Sequence, residues 1–231
     1  MFEDIKKRVC EANKRLFYDK VVILTWGNVS EVDDERSVMV IKPSGVSYDE
    51  MTPEDMVVVD LETEKVVEGK YRPSTDAPTH LKLYREYKDM KAIVHTHSTF
   101  AVGFAQAGIN VPILGTTHAD YFYGDVLCTR ELSESEVKTD YEKNTANVII
   151  ETINKKNYDV VANPGILVKN HGVFTWGKSA NKAVENAFVL EEISKMAYLS
   201  LQLNKNSNIN QYIVEKHYER KHGKNAYYGQ K

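Results

Sequence analysis

Cysteine is scarce in this chain. Among 231 residues only Cys10 and Cys128 occur, and they form no CxxC pair. A cysteine-built zinc knot and a disulfide framework are therefore excluded, and a reducing, cytoplasmic setting is expected. No run of about 18 apolar residues exists, so no membrane-spanning helix is expected. The opening Met1-Phe2-Glu3-Asp4-Ile5-Lys6-Lys7 has charges where a secretory leader needs an apolar stretch. Charge of neither sign dominates: 30 Lys and Arg stand against 33 Asp and Glu, with no long basic run. Nucleic acid is thus not an expected partner. Neither GxxxxGK[ST] nor GxGxxG is found, so no nucleotide is implied. There is no internal repeat. What is there, at 42% hydrophobic residues, suffices for one sizeable α/β domain or at most two small ones.

Periodicity sketches the elements. Ile5, Val9, Ala12 and Leu16 form one helical stripe within residues 2–19. Val21–Thr25 and Ser37–Ile41 read as strands joined by a polar connection. Residues 56–59 and 65–68 read as a hairpin. Ala77–Tyr87 reads as a helix leading into the strand Ala92-Ile93-Val94. Residues 100–107 and 141–154 read as helices. Gly165–Lys169 and Val173–Trp176 read as a second hairpin. Ser179–Leu203 reads as a long helix buried along Ala183, Ala187, Leu190, Ile193 and Ala197. Asn204–Asn210 is polar and reads as a loop. Short turns between strands and the lack of regular βαβ alternation predict an α/β fold with a largely antiparallel sheet and helices packed on it.

Histidine carries the chemistry. His95 and His97 end an apolar strand, and residues two apart on a strand share a face. His171 sits at the turn of the second hairpin. Three neutral nitrogens from two segments would leave a coordination position open, as in catalytic divalent-metal sites. The plainer alternative is a pair of polar residues at a strand end. Three segments offer small residues and hydroxyl or amide donors suited to a phosphate: Gly27-Asn28, Lys42-Pro43-Ser44-Gly45 and Pro73-Ser74-Thr75-Asp76. Lys42 could add charge. Taken singly, each is as readily an ordinary turn. Asp76 could reach a metal or a reacting hydroxyl. Asp120 is either an acid/base or a helix-cap residue. The tail from His217 to Gln230 mixes aromatic, basic and histidine residues. It is either a solvated tail or a segment that docks on a site, with Tyr228 as a phenolic proton donor.

Together, Thr25-Trp26-Gly27-Asn28-Val29-Ser30, Lys42-Pro43-Ser44-Gly45-Val46, His95-Thr96-His97-Ser98, the Gly115–Gly124 segment and Ala226-Tyr227-Tyr228-Gly229-Gln230 closely resemble the epimerase branch of the class II, metal-dependent sugar-phosphate aldolase/epimerase family. The resemblance covers essentially residues 1–231. It implies one three-layer α/β/α domain with a mostly antiparallel central sheet. It also implies a homotetramer with sites at subunit interfaces, and one Zn²⁺ per subunit, replaceable by Mn²⁺ or Co²⁺. By the resemblance, His95, His97 and His171 are metal ligands, and Asp76 is a further ligand or near-ligand. Gly27, Asn28, Ser44, Gly45, Ser74 and Thr75 match phosphate-binding positions, Thr75 standing where serine is usual. Asp120 and Tyr228 match the acid/base pair, and His217 and Arg220 match further site residues. These last four are expected at or beside a neighbouring subunit.

The implied activity is interconversion of L-ribulose 5-phosphate and D-xylulose 5-phosphate, a step fed by arabinose catabolism or by another source of the same phosphate, such as ascorbate breakdown. The C4 proton of such a ketose is not next to the carbonyl, so direct removal is hard. Cleaving C3–C4 is easier and leaves an enediolate of dihydroxyacetone plus glycolaldehyde phosphate. A Lewis acid stabilises the enediolate. Turning the aldehyde and re-adding it inverts C4. Aldolases of the same family, which release their fragments, have a glutamate where this chain has Asp76. A cupin would need a Glu soon after its HxH pair, and an amidohydrolase would carry HxH on its first strand. Neither pattern is present here.

Overall fold

Residues 38–41, 57–59 and 92–94 are unbroken apolar runs, as strands of a sheet covered by helices on each side require. The computed structural model describes residues 2–228. Gly229 and Gln230 of the closing motif lie outside the described residues. The sheet contains β1 (Gly27–Val32), β2 (Val38–Ile41), β3 (Val57–Asp60), β4 (Val66–Glu68), β5 (Ala92–Thr96), β6 (Gly165–Leu167) and β7 (Val173–Gly177). Their order is β4-β3-β2-β1-β5-β7-β6, and every neighbouring pair is antiparallel.

Side-chain alternation sorts the strands into two cores. Val38 and Val40 of β2 and Val94 of β5 join α1 (Glu3–Tyr18) and α7 (Ala180–Leu203) on one face. Met39, Ile41 and Ile93 join α2 (Ala77–Glu86) and α6 (Tyr141–Lys156) on the other. A third cluster packs α3 (Thr99–Ala107) and α7 against Leu167 and Val173. The result is the expected three-layer α/β/α arrangement. The predicted stripe of α1 is buried throughout, with Val9, Ala12 and Leu16 wholly inaccessible. Each such valine or leucine contributes roughly 1.5–3 kcal/mol on burial. The predicted buried face of α7 is likewise buried.

The first strand lies elsewhere than expected. Val21–Thr25 is a turn, with an isolated bridge between Ile23 and Trp26 and Leu24 at φ 53. Val21 and Val22 enter the core, whereas Leu24 is 69% exposed, so the apolar run does not behave as a strand. The strand is instead the polar Gly27–Val32, paired on both sides with β2 and β5. Its Ser30 and Glu31 side chains are satisfied internally. The Ser30 hydroxyl bonds His80 and Tyr84. The Glu31 carboxylate accepts from Arg8 and from the Ala180 N–H opening α7.

Three helices were not expected. These are α4 (Thr116–Ala119), α5 (Glu134–Thr139) and α8 (Gln211–His222). Among the buried residues of α8 only Val214 appears, so no apolar stripe announces it. The tail is therefore not frayed over 211–222; α8 packs against α4. No helix among the described residues is long and apolar enough to cross a membrane.

Candidate functional site

His95 occupies the centre of the sheet, opposite Asn28 of β1 and Phe174 of β7. Its Nδ1 lies 3.0 Å from the Val173 carbonyl oxygen. A carbonyl can only accept, so Nδ1 carries the proton and Nε2 presents its lone pair. The Phe174 ring stacks on it at 4.4 Å between centroids. His97 falls one residue past β5, yet its Nε2 is 3.0 Å from Nε2 of His95. His171, in the turn between β6 and β7, completes the group. One ligand atom from each of the three lies within 4.8 Å of the others.

These nitrogens are suited to a cation. Burial, with the neighbouring histidines adding to it, lowers the pKa of His97 to about 4 and of His171 to about 3. Both are neutral at neutral pH, with lone pairs available. Nδ1 of His171 is buried without a hydrogen-bond partner among the described residues, a costly state unless something occupies the space it faces. Two nitrogens bound tetrahedrally to one zinc ion sit about 3.3 Å apart, near the spacing here. The donor set thus fits a divalent metal, and the carbonyl bonded to His95 fixes the ligand tautomer from behind. Gly172 is part of the device. A β-carbon there would meet His95 Cε1 at 2.7 Å and the Thr96 carbonyl oxygen at 2.9 Å.

Asp76 lies beside this group rather than in it. Its carboxylate accepts from Asn28 Nδ2 at 2.7 Å and stands 3.4 Å from Ser74 Oγ. Burial alone would raise its pKa. Its interactions with His95, His80 and His171 and the Asn28 bond outweigh that, and the net effect is a lowered value. It is an ionised carboxylate at the edge of three imidazoles.

The proposed anion loops are bonded to each other. Ser44 N–H donates to the Arg72 carbonyl at 3.0 Å, and Ser74 N–H to the Lys42 carbonyl at 2.9 Å. Those two amides are engaged, contrary to the expectation that they face a ligand. The Ser44 and Thr75 hydroxyls and the Gly45 and Thr75 amides have no such partner among the described residues. Lys42 also differs from expectation. Its Nζ donates to the carbonyls of Val46, at 2.7 Å, and Pro43, at 3.2 Å, above the Tyr48 ring. Burial brings its pKa down to about 8. Its ammonium shapes the loop from inside. Gly27 is required where it stands, at φ 137, because a β-carbon would sit 2.8 Å from the His95 carbonyl oxygen.

One cavity of about 540 Å³ collects these groups: the three histidines, Asp76, Gly27, Asn28, Lys42, Ser44, Gly45, Ser74 and Thr75. Besides Pro43, inside one of the anion segments, four further lining residues were absent from the sequence-based site: Thr25, Trp26, Tyr141 and Glu142. The first two lie inside a motif already noted. The other two open α6, and nothing local in the sequence points to them.

Asp120, Tyr228, His217 and Arg220 do not line this cavity. They form a second cluster. Asp120 closes α4, and its carboxylate accepts from Arg220 Nη2 at 2.7 Å and Nε at 3.1 Å, with His217 Nδ1 also at 3.1 Å. The Arg220 guanidinium lies over the Tyr228 ring at 4.6 Å. Burial opposes ionisation of Asp120, but Arg220, His217 and Lys221 prevail, and its pKa is lowered.

A family profile described as the Class II Aldolase and Adducin N-terminal domain matches residues 7–198. Among solved structures, an L-fuculose 1-phosphate aldolase superimposes with a TM-score of 0.78 at 24% identity, covering 94% of this chain and 95% of that one. The L-fuculose 1-phosphate aldolase from Glaciozyma antarctica PI12 gives 0.76 at 19% identity, covering 94% and 81%. A sugar-phosphate aldolase from Thermotoga maritima gives 0.68 at 18%, covering 88% and 97%. At such identities the likeness establishes the fold. With the family profile spanning most of its length, this chain belongs to the class II aldolase and adducin family.

Proposed function

We propose that this chain interconverts L-ribulose 5-phosphate and D-xylulose 5-phosphate by breaking and remaking the C3–C4 bond. The observation that carries the reading is the convergence of three imidazole nitrogens with the serine, threonine and glycine loops in one cavity. His95, His97 and His171 would hold one divalent ion per subunit, zinc by the donor set, with Mn²⁺ or Co²⁺ as substitutes. When bound, the ion supplies Lewis acidity to the carbonyl end of the sugar. Everything else falls to side chains. The Ser44 and Thr75 hydroxyls and the Gly45 amide receive the phosphate, and so keep the two-carbon aldehyde fragment in place while it turns over; Asn28 holds Asp76. Asp76 orients the hydroxyl oxygens at the other end.

Cleavage removes a proton from the C4 hydroxyl while the C3–C4 electron pair stays on the three-carbon fragment. Re-addition on the opposite aldehyde face returns a proton to that oxygen. Asp120, held ionised, is the base, and Tyr228 is the acid. Both belong to a cluster outside this chain's own cavity, which supports a homotetramer whose sites are completed across subunit interfaces. His217 and Arg220 then position Asp120.

A second reading is favoured by the fuculose-phosphate aldolase neighbours: an aldolase that releases both fragments. The deciding assay follows purified protein with L-ribulose 5-phosphate, chelated and then metal-restored. Metal-dependent formation of D-xylulose 5-phosphate with little free aldehyde is the expected outcome. Accumulating aldehyde would establish the aldolase instead. No turnover with metal restored would sink the epimerase and point to a different sugar phosphate or a non-catalytic role.

A further inference from the structure

Tyr141 is the aromatic residue of the cavity wall that opens α6. Its ring lies 5.8 Å from the His171 ring, tilted by 48°. Its phenol has no hydrogen-bond partner among the described residues, although its backbone is firmly held. The Thr145 hydroxyl donates to the Tyr141 carbonyl at 2.9 Å, and the Thr79 hydroxyl of α2 donates to the Glu142 carbonyl at 2.6 Å. The second bond ties the first turn of α6 to the helix that begins at Asp76. A half-buried ring on a fixed backbone, with an unengaged hydroxyl in a ligand-sized cavity, is suited to direct contact with a ligand.

We propose that Tyr141 is a specificity-determining residue: its phenol hydrogen-bonds a hydroxyl oxygen at the non-phosphorylated end of the bound sugar. The end follows from position. Tyr141 stands against His171, on the side of the three nitrogens, and among the described residues no hydrogen bond joins its phenol to the Ser44 and Ser74 loops. The chemistry follows from the phenol. A phenol is neutral at neutral pH and can both donate and accept. A sugar hydroxyl is its natural counterpart, and a site that hydrogen-bonds a hydroxyl rejects ligands lacking it far better than an apolar wall can. The inference deepens the sugar-phosphate reading above and rests on it.

The test titrates metal-loaded wild type and Tyr141→Phe with L-ribulose 5-phosphate and, separately, with inorganic phosphate. Metal content and thermal midpoint are recorded for both proteins. The expected result is a loss of about tenfold or more in ketose-phosphate affinity, the scale of one hydrogen bond. Inorganic-phosphate affinity, metal content and midpoint stay unchanged. An unchanged ketose-phosphate affinity, or an equal loss for both ligands, overturns the assignment. Turnover of the same samples separates the two readings. Tyr141-dependent binding without any conversion would remove the epimerase and leave this assignment standing. Equal conversion by both proteins with equal binding would do the reverse.

Discussion

A methyl group at position 172 has nowhere to go. It would press on the His95 ring and the Thr96 carbonyl, and lie 3.4 Å from Nε2 of His97. Backbone and a ring stacked on Phe174 cannot move aside cheaply. Gly172→Ala is expected to lower metal affinity by more than tenfold, read as residual metal after dialysis against a graded chelator. Asn28→Ala acts on the same site from the other side. It leaves the Asp76 carboxylate without its 2.7 Å donor, and ketose-phosphate turnover is expected to fall at least tenfold with metal content retained. At this scale the sequence is legible where partners are close along the chain. The histidine pair is two residues apart, and its nitrogens do converge. Asn28 and Asp76 are 48 residues apart, and only the fold brings them together. Tyr141 lies outside every motif, 17 residues past Gly124.

Among the elements, α3 begins two residues after His97, and its first turn is held from α7. The Glu191 carboxylate accepts from the Phe100 and Ala101 N–H groups at 2.9 Å. An anion at a helix N-terminus meets both free amides and the dipole. Glu191→Gln keeps the shape and loses the charge, so a destabilisation of about 1 kcal/mol is expected in denaturant titration. Periodicity found α1, α7 and the second hairpin because their apolar positions are buried. It missed β1 because that strand's polar side chains are paired inside the protein, a property of distant residues such as His80, Tyr84 and Arg8. It missed α8 for a similar reason: the helix is held largely by bonds from His217, Arg220 and His222 to Asp120.

For the whole molecule, buried histidines set the acid limit. Burial holds His80 at about 3 and His118 at about 4, well below the unfolded value near 6.5. Below pH 6.5 the unfolded chain takes up protons that the folded one refuses. Stability is therefore full above about 6.5 and is lost as pH falls through about 4 and then about 3. Each residue is worth on the order of 1–3 kcal/mol, to be read from denaturant midpoints of metal-free protein between pH 7 and 4. Chelation is expected to lower the thermal midpoint at neutral pH, and zinc to restore it, because the ion binds only the folded chain. If sites are shared between subunits, mixing inactive Asp120→Asn with inactive His97→Asn, after dissociation and reassembly, regains part of the activity. Two variants that stay silent together would refute sharing.

The cross-strand pair of Asn28 and His95 makes the sheet a ruler. Asn28 reaches towards Ser74 and Asp76, and His95 towards the other two imidazoles, from directly opposite positions of one antiparallel ladder. The distance between the imidazole group and the Ser74–Asp76 segment is thus set by one strand spacing, fixed by the ladder between β1 and β5. On the proposed reading, a sugar one carbon longer can be admitted only by redrawing the loops at 42–45 and 72–75. Evolution of chain-length preference on this scaffold is therefore expected to proceed by loop insertion or deletion, with β1 and β5 left in register.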